Sequence, residues 1–511
     1  MLRILIQRKL AVVEYGDPCA METDFVALGP APRTRERTSA DRRQIPPKAV
    51  STFDETLLRD LDVAGPRYTS YPTADRFVEA FGSRQYAQAL QTSAEGAGRE
   101  AGAAPLSLYV HIPFCESVCY YCACNKIVTR QRGLAELYLA ALEREIALHV
   151  SELGPDRQVS QIHLGGGTPT FLSDGELAGL MAVLKDAFTW TSEPEVSIEV
   201  DPRTVDAQRL LHLAALGFNR LSLGVQDFDP EVQRAVHRVQ PFDQVRALLA
   251  AARDIGFRST NVDLIYGLPR QTPASFLRTI EQVCELRPDR IALYAYAHLP
   301  HRFKPQRRIV TEELPPPEER ISMLSAALTR FAEAGYTYIG MDHFALPDDS
   351  LAVAKRQGLL HRNFQGYSTQ PDCDLIGLGV SAIGKVGATY SQNAKTLDGY
   401  YDALEHGRFP VVRGLTLTAD DLARRSVIMA LMCQGRVDFA SIERAHAIRM
   451  QDYFSGELAA LAPLEASGLV AREPGAIVVT PLGWYFVRRV AMAFDRHLAT
   501  DRAHEQFSRL V

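Results

Sequence analysis

The 511-residue chain has few cysteines, eight in all, and four of these fall within ten positions. So few in so long a chain do not make a disulfide framework, which excludes a small secreted scaffold. No run approaches roughly 20 consecutive apolar residues, so no membrane span is expected. The net charge is −5, which leaves no general cationic surface, and no nucleic-acid partner is expected. The opening residues, MLRILIQRKLAVVEYGD, lack an apolar core followed by a small-residue cleavage site, so a secretory signal is not expected. A cytoplasmic location is expected instead. No G-x-G-x-x-G follows the first strand candidate, which argues against a dinucleotide-binding Rossmann sheet. The bulk composition, 46% hydrophobic and 23% charged, is enough for one large α/β domain with smaller appendages.

Residues 1–51 read as a disordered extension. "GPAPRTRERTSADRRQIPPK" (29–48) is rich in Arg, Pro and polar residues without periodicity, and Met21 is an alternative start. Residues 52–105 read as an N-terminal arm. It opens with a capped helix in "TFDETLLRDLDVAG", continues through "GPRYTSYPTADRF" (65–77) and ends in a small-residue loop at 94–105. From 106 to 345 short β-type runs alternate with helical ones. The strands expected are 106–112, 161–166, 196–201, 220–226, 260–267 and 290–299, with 336–344 as a seventh. Helices are expected over 134–153 and 244–256, and "AALGF" and "RDIGF" carry glycine stop signals. Repeated β-then-α units imply a parallel sheet with right-handed crossovers. The fold class is α/β: a partial (β/α)6 TIM-like barrel with an N-terminal arm and a mostly helical C-terminal domain. Residues 346–414 flank the barrel. Residues 415–511 form the helical domain, with a small β-wing at 469–483. A winged-helix reading would need a basic recognition helix, and none is evident.

The dense stretch is "HIPFCESVCYYCACN" (111–125), which spaces Cys115-x3-Cys119-x2-Cys122-x-Cys124 directly after a strand. Structural zinc sites favour two separated C-x2-C pairs. Three thiolates can hold three irons of a [4Fe–4S] cluster and leave the fourth open. A three-thiolate zinc site and a buried cysteine stripe are the alternatives. His111 stands nearby as either a ligand or a structural strand residue. "GGGTPT" (165–170) follows the second strand and would let backbone approach a ligand closely, or simply turn the chain. Glu199 ends "SIEV", and strand C-termini are where (β/α) folds place chemistry.

The C-x3-C-x2-C run after the first strand resembles the signature of the radical S-adenosylmethionine (SAM) superfamily. "YVHIPFCESVCYYCACNKIVTR" (109–130) is similar, more narrowly, to the oxygen-independent coproporphyrinogen III oxidase (dehydrogenase) family. The similarity continues through "HLGGGTPTFL", "SIEVDPRTV", "GFNRLSLGVQDFD", "VQRAVHRVQ", "NVDLIYGLP" and "NFQGYSTQPDCDLIGLGVSAIG", and back to "GPRYTSYPT". It covers roughly residues 52–500. The resemblance implies a radical SAM barrel with one [4Fe–4S] cluster on Cys115, Cys119 and Cys122. It implies SAM held by Tyr109, Gly165, Gly166, Thr168, Glu199, Gln226, Arg238, Asp263, Gln365 and Ile383, with two SAM per turnover. Cys124 would lie near the substrate or a second SAM rather than on iron. Arg67, in the arm segment that would close over the substrate, would pair with a propionate. The implied reaction is oxidative decarboxylation of two propionates of coproporphyrinogen III to vinyl groups, giving protoporphyrinogen IX. The partners implied are that substrate and an electron donor such as flavodoxin or ferredoxin, with the chain a monomer. A haem-trafficking chaperone of the same superfamily is the alternative. It is disfavoured by Cys124, where those relatives resemble C-x-F, and by the "PRYTSYPT" arm, which they lack.

Overall fold

A computed structural model of the chain describes residues 59, 65–99, 104–154 and 157–498. The extension over 1–51 and most of the arm's first helix lie outside the described residues.

Six parallel strands run in chain order: β1 (Leu106–Ile112), β2 (Gln158–Gly166), β3 (Thr189–Val200), β4 (Arg220–Gln226), β5 (Ser259–Tyr266) and β6 (Arg290–Ala295). Helices α2 (Gly133–Leu153), α3 (Asp174–Ala187), α4 (Ala207–Leu216), α5 (Phe242–Ile255) and α6 (Pro273–Leu286) connect them, after α1 (Ser83–Arg99) in the arm. Local chemistry sets the ends. Ser173 and Glu176 form a capping box at α3. Gly217 and Gly256 close α4 and α5 in the left-handed region, as the glycine signals indicated. The small-residue stretch from 94 is not a loop throughout, because α1 runs on to Arg99. Alanine-rich sequence favours helix as readily as linker.

The expected seventh strand over 336–344 is two strands. β7 (Thr337–Gly340) turns at Met341 and Asp342 into β8 (His343–Ala345), and both are antiparallel additions beyond β6. Positive φ at Gly340 and Met341 reverses the chain there. The seventh parallel strand is β9 (Leu375–Leu378), which pairs with β1 on its other side. β10 (Ile383–Val386), β11 (Thr389–Asn393) and β12 (Val411–Thr416) extend it antiparallel, giving a twelve-stranded sheet. The C-terminal region packs α9 (Ala419–Gln434) with a three-stranded wing, β13 (Arg436–Asp438), β14 (Val470–Glu473) and β15 (Ala476–Val479). Two further helices are α7 (Pro317–Glu333) and α8 (Ser350–Gln357).

Side-chain alternation decides what faces the barrel interior. Val196, Ile198, Val200, Leu221, Leu223, Val225, Val262 and Leu264 are buried in the core. The intervening residues Ser197, Glu199, Ser222, Asn261 and Asp263 line an interior cavity of about 160 Å³. TIM barrels fill this space with branched apolar side chains. Here it is polar and open.

Candidate active site

The cysteine loop leaves β1 and is tied back by a two-residue parallel ladder, Phe114 to Ile127 and Cys115 to Val128. Gly167 N–H donates to the Ile112 carbonyl at 2.8 Å, and Thr168 N–H to the Phe114 carbonyl at 2.8 Å. These bonds lay the GGGT segment against the loop. Gly166 has φ +112°, and a Cβ there would meet the His111 ring at 2.6 Å. The glycines thus admit His111 and Glu199 as neighbours of the strand end.

Thr168 Oγ1 donates to Cys115 Sγ at 3.4 Å. Arg238 Nη1 and Arg203 Nη2 donate to Cys119 Sγ at 3.4 and 3.6 Å. The Cys124 thiol, hydrogen-bonded to Cys122, brings Cys122 down to about 6 and rises itself. Burial pushes Cys115 up to about 11, a proton that metal binding would have to displace. Among the described residues no three His, Cys, Asp or Glu side chains are grouped to hold one metal ion. Donors aimed at separated sulfurs suit a cluster taking one thiolate on each of three irons better than one tetrahedral ion. Cys115, Cys119 and Cys122 therefore fit a [4Fe–4S] cluster. Cys124 is exposed. His111 is occupied elsewhere: Nε2 donates to the Asn125 carbonyl at 2.9 Å, and Nδ1 lies 3.1 Å from the Tyr109 hydroxyl. Burial lowers its pKa below the usual imidazole value, and it reads as a loop anchor.

The strand ends bring Glu199 and Asp263 into one cavity. Glu199 Oε2 accepts from Gly166 N–H at 3.1 Å, and Oε1 sits 3.3 Å from His163 Nε2. Burial would raise its carboxyl, but His163 and the Gly166 amide hold it below the ordinary value. Asp263 accepts from Asn261 Nδ2 at 2.8 Å and Ser222 Oγ at 3.2 Å. Burial first, then the charge of Glu199, pushes it up to about 6. Among the described residues neither carboxylate has a Lys or Arg in salt-bridge contact. Tyr109 stacks on His163 with ring centres 5.9 Å apart. Gln226 takes φ +69° at a bulge where β4 skips a residue against β5. Arg238 fills the space beside Gly224, donating to the Gly224 carbonyl at 2.6 Å and to both oxygens of Asp201 at 3.2 Å. Burial opposes its charge, but Tyr121, Asp201 and Cys119 raise it further.

Two further expected residues make other contacts. Ile383 packs in a satellite apolar cluster with Phe77, Tyr390 and Leu417. Arg67 is bonded to Asp342 and lies over the Tyr294 ring at 5.4 Å. Gln365 lines the same cavity as Glu199, with its Nε2 buried and without a partner. The sequence reading missed Asp201, Arg203, His163, Ser222 and Asn261. Asp201 carried the clearest signal: it follows Glu199 by two positions at the same strand end, inside "SIEVDPRTV".

A three-cysteine loop after β1 and acidic strand ends over a polar lumen define a radical SAM site. The Radical SAM superfamily profile matches residues 109–283, and the HemN C-terminal domain profile matches 417–486. The oxygen-independent coproporphyrinogen III oxidase of Escherichia coli K12 is 49% identical over 459 residues, 90% of this chain and 98% of that one. The Pseudomonas aeruginosa protein of the same name is 48% identical over 461 residues, covering 90% and 99%. The solved E. coli coproporphyrinogen III oxidase, described as a radical SAM enzyme, superposes with a TM-score of 0.81 at 48% identity, over 88% of this chain and all of that one. The chain belongs to the oxygen-independent coproporphyrinogen III oxidase family. These relatives support an enzyme over a haem-trafficking chaperone.

Proposed function

We propose that the chain decarboxylates two propionates of coproporphyrinogen III to vinyl groups, giving protoporphyrinogen IX without molecular oxygen. The observation that carries this is the pair Glu199 and Asp263, two carboxylates in one cavity with no Lys or Arg in salt-bridge contact among the described residues, in a chain of this family. When bound, the cluster supplies one electron that splits SAM into methionine and a 5′-deoxyadenosyl radical. Each propionate would give one β-hydrogen atom to that radical, forming 5′-deoxyadenosine, and would release CO2 and pass one electron to an external one-electron acceptor, so two SAM would serve each substrate.

The chain's own residues position and exclude. SAM carries an ammonium and a sulfonium, which the paired carboxylates attract in a partly dehydrated cavity. Glu199 and Asp263 accept from the ammonium and the ribose hydroxyls. Tyr109, Gly165, Gly166, Thr168, Gln226, Gln365 and Ile383 complete the SAM surroundings. Arg238 ties Cys119 to the β4 bulge, so cluster and cofactor share one rigid frame. Arg67 exchanges Asp342 for a substrate propionate as the arm closes, and Cys124 faces the substrate side. Flavodoxin or ferredoxin delivers the electron to a cytoplasmic monomer. No helix among the described residues is long and apolar enough to cross a membrane.

The test is anaerobic turnover. Reconstituted, reduced protein with SAM and coproporphyrinogen III should yield protoporphyrinogen IX, CO2 and 5′-deoxyadenosine. SAM cleavage without protoporphyrinogen would assign the site to another substrate.

A further inference from the structure

Resting on that reading, the substrate brings four carboxylates, and the arm's Arg67 already has a partner in Asp342. Arg362 has none. It lies on the short strand His361–Asn363, where the antiparallel register sets Tyr367 directly opposite. Its guanidinium lies over the Tyr367 ring at 4.6 Å, and its Nε donates to the Arg67 carbonyl at 3.3 Å. Its Nη1 is buried with no hydrogen-bond partner. The residue is 6% exposed, and among the described residues no carboxylate is in salt-bridge contact with it. A buried guanidinium with so little to hold it is costly to the free protein. Like charge makes this worse: Arg362 and Arg488, after burial, bring Arg67 itself down to about 10.

The neighbours share the same want. Gln365, at the tip of the hairpin that carries Arg362, has its Nε2 buried and unpartnered, and so has His343 its Nδ1. Both residues line the luminal cavity beside Tyr294 and Tyr367, while Arg362, on the same hairpin, lines a second pocket with Thr69, Lys385, Arg425 and Asp372. The His343 ring lies 5.6 Å from the Tyr367 ring. The group is rich in donors and poor in acceptors, which is the complement of a planar anion.

We propose that Arg362, with Gln365 and His343, forms a carboxylate-binding subsite, filled by a propionate of coproporphyrinogen III. The subsite adjoins Arg67, whose carbonyl Arg362 holds, but its side chains belong to the hairpin and to His343 rather than to the arm. The one other carboxylate source in the reaction is SAM itself, and the experiment distinguishes the two.

The variant is Arg362→Met, which keeps the stem and removes the charge. Cluster-loaded, unreduced protein is dialysed anaerobically to equilibrium against coproporphyrinogen III, its neutral tetra-amide and, separately, SAM. The variant should bind coproporphyrinogen III at least about tenfold more weakly and the tetra-amide within about twofold of wild type. Its ligand-free melting temperature should stay the same or rise, because an unpaired buried charge has been removed. Equal weakening of acid and amide would show packing damage and overturn the subsite, and so would unchanged binding of both. Loss confined to SAM would keep the carboxylate subsite and assign its occupant to SAM. Wild-type protein that binds neither tetrapyrrole would overturn the substrate reading itself, and the propionate with it.

Discussion

At the N-terminal end of the lumen, Arg220 and Arg290 meet Glu195 and Asp349. Arg220 Nε lies 2.9 Å from Glu195 Oε2, Arg290 Nε lies 2.9 Å from Asp349 Oδ1, and both arginines donate to Ser350 Oγ. Asp349 also caps α8. At the C-terminal end, Glu199 and Asp263 have only neutral donors and His163. Carboxylates line both ends, yet one end is neutralised by arginines and the other is left with surplus negative charge. Paired buried charges lock a structure, whereas unpaired ones wait for a ligand of opposite sign. The closed end joins β3, β4, β6 and α8 into a floor. The open end lies over the cysteine loop, where a cationic cofactor would complete it.

The comparison can be broken at either end. The largest effect is expected at the loop: Cys119→Ala should lose bound iron and reduce turnover by roughly a thousandfold or more, while circular dichroism stays that of the wild type. On the floor, Asp349→Ala should leave the largely buried Arg290 guanidinium without a carboxylate, while Arg220 keeps Glu195, and cost about 3 kcal/mol of unfolding free energy in a denaturant titration. Its SAM affinity should stay within about threefold of wild type. At the rim, Asp263→Asn should weaken SAM about tenfold by calorimetry and stabilise the ligand-free protein at pH 7. Asp263 sits above the ordinary carboxylate value, so the stability it costs is present above pH about 6 and is relieved as the proton binds below it. Wild-type SAM affinity should accordingly fall between pH 7 and pH 5, and the variant should flatten that slope. The smallest effect is expected far from both ends: Glu193→Ala removes an exposed partner of Arg258 and should change stability by less than about 0.5 kcal/mol.

What the sequence made legible follows the range of the interactions. β1, α2, α5 and the glycine caps rest on local periodicity and turn chemistry, and they appear where expected. Cys115, Cys119 and Cys122 form one dense motif after β1 and Glu199 nearly ends its strand, whereas Asp263, in the middle of β5, was picked out only by the family resemblance. The floor was not: Arg220, Arg290 and Asp349 are scattered and meet only through the sheet. Strand β9 was hidden because four residues, one of them glycine, show no period. The hairpin bearing Arg362 and Gln365 has strands of three residues, too short for alternation to register. Residues 336–344 read as one strand because the reversal at Gly340 and Met341 is a backbone property that apolar patterning does not carry.

The most direct measurement is calorimetric titration of SAM into cluster-loaded wild type, Glu199→Gln and Asp349→Ala at pH 7. The account predicts at least about tenfold weaker binding for Glu199→Gln and near wild-type affinity for Asp349→Ala. Unchanged affinity in Glu199→Gln, with loss in a folded Asp349→Ala, would place the cofactor at the other end of the lumen and contradict it.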